Sequence, residues 1–224
     1  MQFNGQAVYQ YLDSHWPKGL QNTLVNSIVN KIPIRYFIVD NSGSMCENDG
    51  HILTYDSKNN KALPKNKQCS RWKELTDSIR FHAGLARAGN FLSEFRLLNN
   101  TPPCMVGNND DTGYQILMNA LNGEPSGGTP LCHHINEIVR LIQGMEQDLR
   151  NNGHQAAIII CTDGESSDGN IVNALKPLER LPCYVVIRLC TDDEKIVNYW
   201  NEIDNQLELQ LDVLNDFEGT FHYT

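Results

Sequence analysis

Two short apolar runs that each end in an aspartate constrain the fold of this chain most. The runs are "IRYFIVD" (residues 34–40) and "AAIIICTD" (residues 156–163), and both are rich in branched or aromatic side chains at successive positions. Continuous apolar runs of this length are typical of strands that are buried on both faces of a parallel sheet. A third run, "CYVVIRLC" (residues 183–190), has the same character. The sequence therefore predicts a sheet that is covered on both sides.

Segments with helical spacing of apolar residues lie between these strands. The predicted helices are residues 71–86, 130–149, 169–181 with a break near Pro177, and 192–204. Weaker strands are predicted at 91–98 and 104–107, and the alternation at 207–213 predicts a half-exposed edge strand. Strands that alternate with helices indicate the α/β class. We expect a doubly wound, Rossmann-like, mostly parallel central sheet with helices on both faces.

The chain divides into an N-terminal extension and one domain. We expect residues 1–32 to contain an amphipathic helix, between Pro17 and Pro33, that packs on a domain formed by residues 33–224. A polar, turn-rich segment at about 46–69 interrupts that domain and predicts an inserted hairpin or ordered loop. Cys46 and Cys69 flank the insertion, and two free thiols are favoured over a disulfide.

Charge and cysteine content narrow the partners and the compartment. The 27 acidic and 18 basic residues give a net charge of −9, which argues against nucleic acid and anionic lipid as partners. No apolar stretch approaches the roughly 20 residues that a membrane span needs, and the N-terminus lacks the pattern of a secretory signal. The seven cysteines do not form paired metal-ligand spacings. These features predict a cytoplasmic or other intracellular protein.

Acidic and hydroxyl side chains follow the two acid-ended strands. Ligands of open parallel sheets bind beyond the carboxyl ends of the strands, where Asp40 and Asp163 are expected. Ser42 and Ser44 follow Asp40 at alternate positions, around Gly43. Two carboxylates brought together need a cation, a shared proton or distance. Carboxylates and hydroxyls are hard oxygen donors, so the pattern favours Mg²⁺, with Mn²⁺ or Ca²⁺ as alternatives.

The loop "EPSGGTPL" offers a further oxygen from Thr129. Thr129 has a second interpretation, as the N-cap of the following helix with Pro130 as its first residue. Other polar residues nearby are given structural roles. Glu165 and Asp168 are interpreted as solvated turn acids, and His133 and His134 as exposed or capping residues.

Three of these motifs together resemble a known family. "VDNSGSM", "GGTPL" and "IICTDGESSDG" occur in the order and strand context of a von Willebrand factor type A (VWA) domain, and the resemblance spans roughly residues 34–213. In that family they form the metal-ion-dependent adhesion site (MIDAS). The resemblance implies that Ser42, Ser44 and Thr129 are metal ligands, and that Asp40 and Asp163 bind the metal directly or through water. It also implies an open coordination position for an Asp or Glu of a partner protein.

A protein-interaction module without catalytic activity is the favoured function. One alternative is a metal-dependent hydrolase or phosphotransferase that uses Asp40 as nucleophile or metal ligand, and another is a structural subunit with an idle metal site. The loops at 40–46, 123–132 and 161–169 contain no Lys, Arg or His. An enzyme that handles phosphate usually needs such groups, so their absence favours binding. The sequence leaves the partner's identity and the oligomeric state open.

Overall fold

The computed structural model describes residues 3–12, 16–56 and 61–214. Its helices are α1 (Gly5–Leu12), α2 (Lys18–Asn30), α3 (Arg71–Gly89), α4 (Thr112–Ala120), α5 (Leu131–Asn151), α6 (Ile171–Leu175) and α7 (Glu194–Gln206). Its strands are β1 (Ile34–Val39), β2 (Gly50–Asp56), β3 (Lys61–Cys69), β4 (Leu92–Leu97), β5 (Cys104–Val106), β6 (Ala156–Thr162), β7 (Cys183–Leu189) and β8 (Leu211–Leu214). Within these ranges no helix is both long enough and apolar enough to cross a membrane.

A six-stranded sheet forms the centre of the molecule, in the order β5-β4-β1-β6-β7-β8. All neighbouring strands are parallel except β4 and β5, which are antiparallel. The two acid-ended strands are neighbours, and Val39 of β1 pairs with Cys161 of β6. Asp40 and Asp163 therefore leave the sheet at the same edge. The predicted doubly wound α/β architecture is confirmed.

Helices cover both faces of this sheet because side chains of β1 alternate between two cores. Tyr36 and Ile38 face the core that α5, α6 and α7 complete, and Phe37 and Val39 face the core that α1, α2, α3 and α4 complete. Each fully buried side chain of this kind stabilises the fold by about 1.5–3 kcal/mol. The sheet is thus held from both sides, which fixes the positions of its strand ends.

Several element boundaries differ from the predictions. The helices α1 and α4 were not predicted, although Val8, Leu12 and Leu117 on them are buried. The edge strand β8 begins at Leu211 instead of residue 207, because α7 continues to Gln206. The predicted break near Pro177 is confirmed, since α6 ends at Leu175 and a 3₁₀ helix follows over Lys176–Arg180.

The insertion is a hairpin, as predicted. Strands β2 and β3 pair antiparallel and form a separate two-stranded sheet, with Gly50 opposite Cys69. All seven cysteines are free thiols. The base of the hairpin is tied to the domain, because the Arg71 N–H donates to Glu47 O at 2.9 Å and the His51 N–H donates to the Glu74 carboxylate at 2.9 Å. The hairpin base consequently lies beside the loop that follows β1.

Candidate metal centre

Asp40 is held at the end of β1 by hydrogen bonds of both its backbone and its side chain. Its N–H donates to Cys161 O at 2.9 Å, which extends the pairing with β6 by one residue. Its Oδ1 accepts the Ser42 N–H at 2.9 Å, and its Oδ2 accepts the Thr162 hydroxyl at 2.7 Å. The residue is fully buried. This carboxylate therefore fixes the loop after β1 against the end of β6.

The environment of Asp40 opposes its negative charge. Burial raises the pKa of Asp40, hydrogen bonds from Ser42 and Thr162 lower it, and the charge of Asp163 raises it further, so that the pKa lies above the ordinary value. A buried carboxylate with a raised pKa lacks sufficient counter-charge. A cation at this edge of the sheet would supply that charge.

Three side-chain oxygen atoms form a row of short contacts from the loop after β1 to the end of β6. The hydroxyls of Ser42 and Ser44 lie 3.0 Å apart, and the Ser44 hydroxyl donates to Asp163 Oδ1 at 2.9 Å. The turn that orients the serines is a 3₁₀ helix over Gly43–Cys46, and the fully buried Met45 anchors it in the core. The structure thus brings together four of the five predicted residues.

Arg71 is a site residue that the sequence analysis missed. Its Nη1 donates to Asp163 Oδ2 at 2.9 Å, and its Nε and Nη2 donate to the two oxygens of Asp49 at 2.6 and 2.5 Å. Pairing with Asp49, and then with Asp163, raises the pKa of Arg71 despite its partial burial. The loops at 40–46, 123–132 and 161–169 contain no Lys, Arg or His, but Arg71 from α3 brings a cationic side chain to the site. The expectation that the site has no cationic side chain is therefore wrong.

A weak sequence signal for Arg71 existed. It is the first residue of α3, where the helix dipole favours acidic residues over basic ones. A nearby anion offsets this unfavourable effect, and Asp49 and Asp163 are such anions. The partners lie on the far side of the insertion and on another strand, so the sequence alone does not identify them.

The loop that carries Thr129 packs against both other loops. The Gly43 N–H donates to Gly127 O at 3.2 Å, and the Thr129 N–H donates to the Ser167 hydroxyl oxygen at 3.0 Å. Gly127 has a positive φ of 98°, and a Cβ atom there would lie 2.6 Å from Asn99 Oδ1. Both facts require glycine at this position. The loop is therefore held at the same edge of the sheet.

Thr129 is not the N-cap of α5, so that interpretation is wrong. The helix begins at Leu131 after Pro130, without a side-chain cap from that residue. Instead, Asp168 accepts the N–H groups of Cys132 at 3.0 Å and His133 at 2.8 Å. Asp168 is exposed, as predicted, and it also caps the start of this helix. Within the described ranges the Thr129 hydroxyl makes no hydrogen bond.

The two adjacent histidines have different environments. His133 is exposed, as predicted, whereas His134 is buried and its Nε2 lies 3.2 Å from Leu98 O. Burial lowers the pKa of His134, so its neutral form is favoured. The predicted exposed or capping role is therefore wrong for His134, which packs between α5 and the end of β4.

The oxygen set fits a hard divalent cation. Octahedral Mg²⁺ with bonds of about 2.0–2.1 Å places adjacent ligand oxygens roughly 3 Å apart. The Ser42–Ser44 and Ser44–Asp163 separations are 3.0 and 2.9 Å. No group of three or more His, Cys, Asp or Glu side chains that could hold a metal occurs in the described part of the chain. A metal at this edge would consequently depend on the serine hydroxyls.

Comparison with known proteins identifies the fold. No family model matches the sequence, and neither does any curated protein. The conserved hypothetical protein BatB from Bacteroides thetaiotaomicron is similar in structure, with a TM-score of 0.53, 14% identity, and coverage of 84% of this chain and 92% of that one. The VWA domain of SpRpn10 has a TM-score of 0.50 and 10% identity, and the match covers 82% of this chain and 87% of that domain. The chain therefore has the fold of a VWA domain.

Proposed function

We propose that this chain is a protein-interaction module in which the strand-end site binds a divalent cation, and that the cation binds an Asp or Glu of a partner protein. The observation that carries the proposal is the continuous set of oxygens from Ser42 through Ser44 to Asp163, with separations of 3.0 and 2.9 Å. These oxygens lie at the carboxyl ends of two adjacent parallel strands, where ligands of such sheets bind. The VWA fold of the chain supports the same function.

Each residue has a distinct part in the proposed site. Ser42 and Ser44 provide neutral hydroxyl ligands, and Thr129 provides a further one from its own loop. Asp163 contributes Oδ1, and Asp40 holds the serine loop in place and supplies negative charge. Mg²⁺ is the preferred ion, with Mn²⁺ or Ca²⁺ as alternatives.

The charge balance of the site favours an external carboxylate. The proposed hydroxyl ligands are neutral, and Asp163, the carboxylate that would contact the cation, already pairs with Arg71. A divalent cation in this set keeps a net positive charge, which attracts an anionic group from outside. The partner's Asp or Glu is the protein group that meets this requirement.

We propose no catalytic turnover for this site. Arg71 brings a cation to the site, but two carboxylates already hold its guanidinium. It is therefore not directed at a phosphate, and the hydrolase and phosphotransferase alternatives gain no support from it.

The proposal also includes an intracellular location, which the seven free thiols support.

Titration calorimetry tests metal binding directly. We expect the parent chain to bind Mg²⁺, and the Ser42→Ala/Ser44→Ala variant to bind it at least about tenfold more weakly, because each hydroxyl is a ligand. Thr23→Ala is the matched control, since Thr23 is an exposed hydroxyl residue on α2. At a concentration of 100 times Kd, Mg²⁺ should raise the free energy of unfolding by about 2.7 kcal/mol.

Partner capture in the presence of Mg²⁺ or of a chelator tests the interaction role. Loss of capture in the chelator and in the double-serine variant supports the proposal. Metal binding with capture that is unchanged by the chelator supports the idle-site alternative. If the parent binds none of the three ions at millimolar concentration, the proposed metal site is wrong.

A further inference from the structure

A cavity lies on the sheet face that α2 and α3 cover, at a place separate from the metal centre. Its volume is about 480 Å³, and its lining is mostly apolar, with Phe37, Phe81, Leu85 and Ile159 among the contributing side chains. None of the proposed metal ligands lines it. Cavities of about 300–1,000 Å³ with apolar walls and a few polar groups are typical small-molecule sites.

Arg35 on β1 places an uncompensated positive charge in this cavity. Its Nη1 is buried and has no hydrogen-bond partner, and Arg35 forms no ion pair with any residue in the described ranges. Its guanidinium carbon lies 4.7 Å above the ring of Phe91, which offsets part of the loss of hydration. Burial lowers the pKa of Arg35 to about 10, so the group remains charged at neutral pH. A buried charge without a partner is unfavourable and calls for an anion.

Ser93 on β4 adds an unsatisfied hydroxyl next to this charge. Arg35 and Ser93 are opposite each other in the pairing of β1 with β4, and both line the cavity. Ser93 is only 1% exposed, and its hydroxyl has no hydrogen-bond partner in the described part of the chain. The two strands therefore present two adjacent donors, and one carboxylate could accept from both.

Among the residues that the structure describes, the other polar groups of the cavity do not supply the missing anion. Arg188 on β7 is a second cation, and its Nη2 donates to Glu74 at 3.1 Å. His82 also lines the cavity, and a histidine side chain supplies no negative charge in either of its protonation states. Glu74 also accepts the His51 N–H, so it is already engaged. The described polar residues that line the cavity therefore leave the charge of Arg35 without a counter-anion.

We infer that this cavity binds an amphiphilic carboxylate, with its anionic head at Arg35 and Ser93 and its hydrocarbon chain along the apolar wall. The head would satisfy two buried donors that lack partners. The hydrocarbon chain would remove apolar surface of Phe37, Phe81 and Leu85 from water. The positive charge of Arg35 favours an anionic head group, and the apolar lining of the cavity favours a hydrocarbon chain.

Comparison of dodecanoate with dodecanol tests the inference on the full chain, with Kd measured by calorimetry. The two compounds share the same hydrocarbon chain and differ in the charge of the head. We expect dodecanoate to bind at least about tenfold more tightly than dodecanol, because only the carboxylate pairs with Arg35. The fluorescence of Trp16, which lines the cavity, should change on binding, and Trp16→Phe should abolish that change.

Two arginine variants locate the head group. Arg35→Met removes the charge and should weaken dodecanoate binding to the level of dodecanol. Arg87→Met is the matched control, because Arg87 lies on the exposed side of α3 and pairs with Asp111 outside the cavity. Equal affinities for the acid and the alcohol, no binding of either, or an unchanged affinity in Arg35→Met would overturn the inference. The comparison on the parent chain decides the matter if Arg35→Met does not fold.

Discussion

Asp40 lies in an environment that opposes its own negative charge. It is fully buried, and hydrogen bonds from Ser42 and Thr162 partly compensate for the lost hydration. We predict that Asp40→Asn leaves the stability of the metal-free fold within about 1 kcal/mol of the parent, because the amide removes a buried charge but keeps only one of the two acceptor oxygens. The same change should abolish the stabilisation by Mg²⁺. Chemical unfolding with and without chelator measures both effects.

The pH dependence of the metal-free chain gives a second readout of Asp40. The folded chain retains this proton to a higher pH than the unfolded chain, because the folded pKa is raised. The stability contribution of Asp40 therefore falls as the pH rises from the unfolded pKa to the folded pKa, and stays low above it. Asp40→Asn should remove this component of the pH profile. An identical profile in the variant would contradict the assignment.

Arg71 should weaken metal binding through repulsion between like charges. It donates to the same carboxylate that the proposed cation contacts. We predict that Arg71→Met raises the affinity for Mg²⁺ by about tenfold, or ~1.4 kcal/mol, when measured by calorimetry. Arg71→Lys keeps the charge and should stay close to the parent. A lower affinity in Arg71→Met would instead show that the guanidinium positions Asp163 for the metal.

The sequence predicts the location of a site residue correctly where that residue directly follows a buried strand. Asp40 and Asp163 follow apolar runs, so their shared edge could be inferred without coordinates. Arg71 and Thr162 could not be assigned to the site, because their roles depend on which side chains of distant segments meet. The hydrogen bonds of Asn41 with Asn99 likewise depend on the neighbourhood of β1 and β4.

At the scale of elements, Asp168 connects the loop after β6 to the start of α5. Partial burial raises the pKa of Asp168, but hydrogen bonds from Ser166, His133 and Cys132 outweigh it and leave the pKa below the ordinary value. We predict that Asp168→Ala lowers the free energy of unfolding by about 1 kcal/mol, because the first turn of α5 loses its cap. Denaturant titration at neutral pH measures this loss.

Glu165→Ala is the control for the Asp168 prediction, since Glu165 is an exposed acid in the same loop. The stabilising contribution of Asp168 should be complete above its unfolded pKa and should disappear as the pH falls through its lower folded pKa. Parent and Asp168→Ala should therefore become equal in stability in acid. Equal stability of the two chains already at neutral pH would show that the cap contributes nothing.

The elements that the sequence predicted well are those with long, regular apolar patterns. The strands β1, β6 and β7 and the helices α3, α5 and α7 all have this property. Helix α1 spans only eight residues and α4 nine, which is too short for a clear period. The start of β8 was misplaced because Leu207 and Leu209 continue the alternation beyond the end of α7 without joining the sheet. A pattern of side chains does not specify where a neighbouring strand begins to pair.

At the scale of the whole molecule, the N-terminal helices contribute to the core of the domain. Val8 and Leu12 of α1 are buried with side chains of α3 and the sheet. The Asn4 N–H donates to Gly89 O at 2.9 Å, and a Cβ atom on Gly89 would lie 2.5 Å from Val8. Such a close approach of α1 to the end of α3 requires glycine there. We therefore expect α1 to unfold together with the sheet and not before it.

Substitution of Leu12 tests this cooperativity. Leu12 is 1% exposed, so Leu12→Ala leaves a cavity between α1 and the domain and should lower the free energy of unfolding by about 2–5 kcal/mol. Leu20 on α2 is 54% exposed, and Leu20→Ala should change the same quantity by less than about 0.5 kcal/mol. Denaturant unfolding should remain a single transition that near-UV and far-UV signals report alike. If Leu12→Ala matches the parent, or an early transition separates from the main one, the N-terminal helices are an appendage whose packing does not stabilise the sheet.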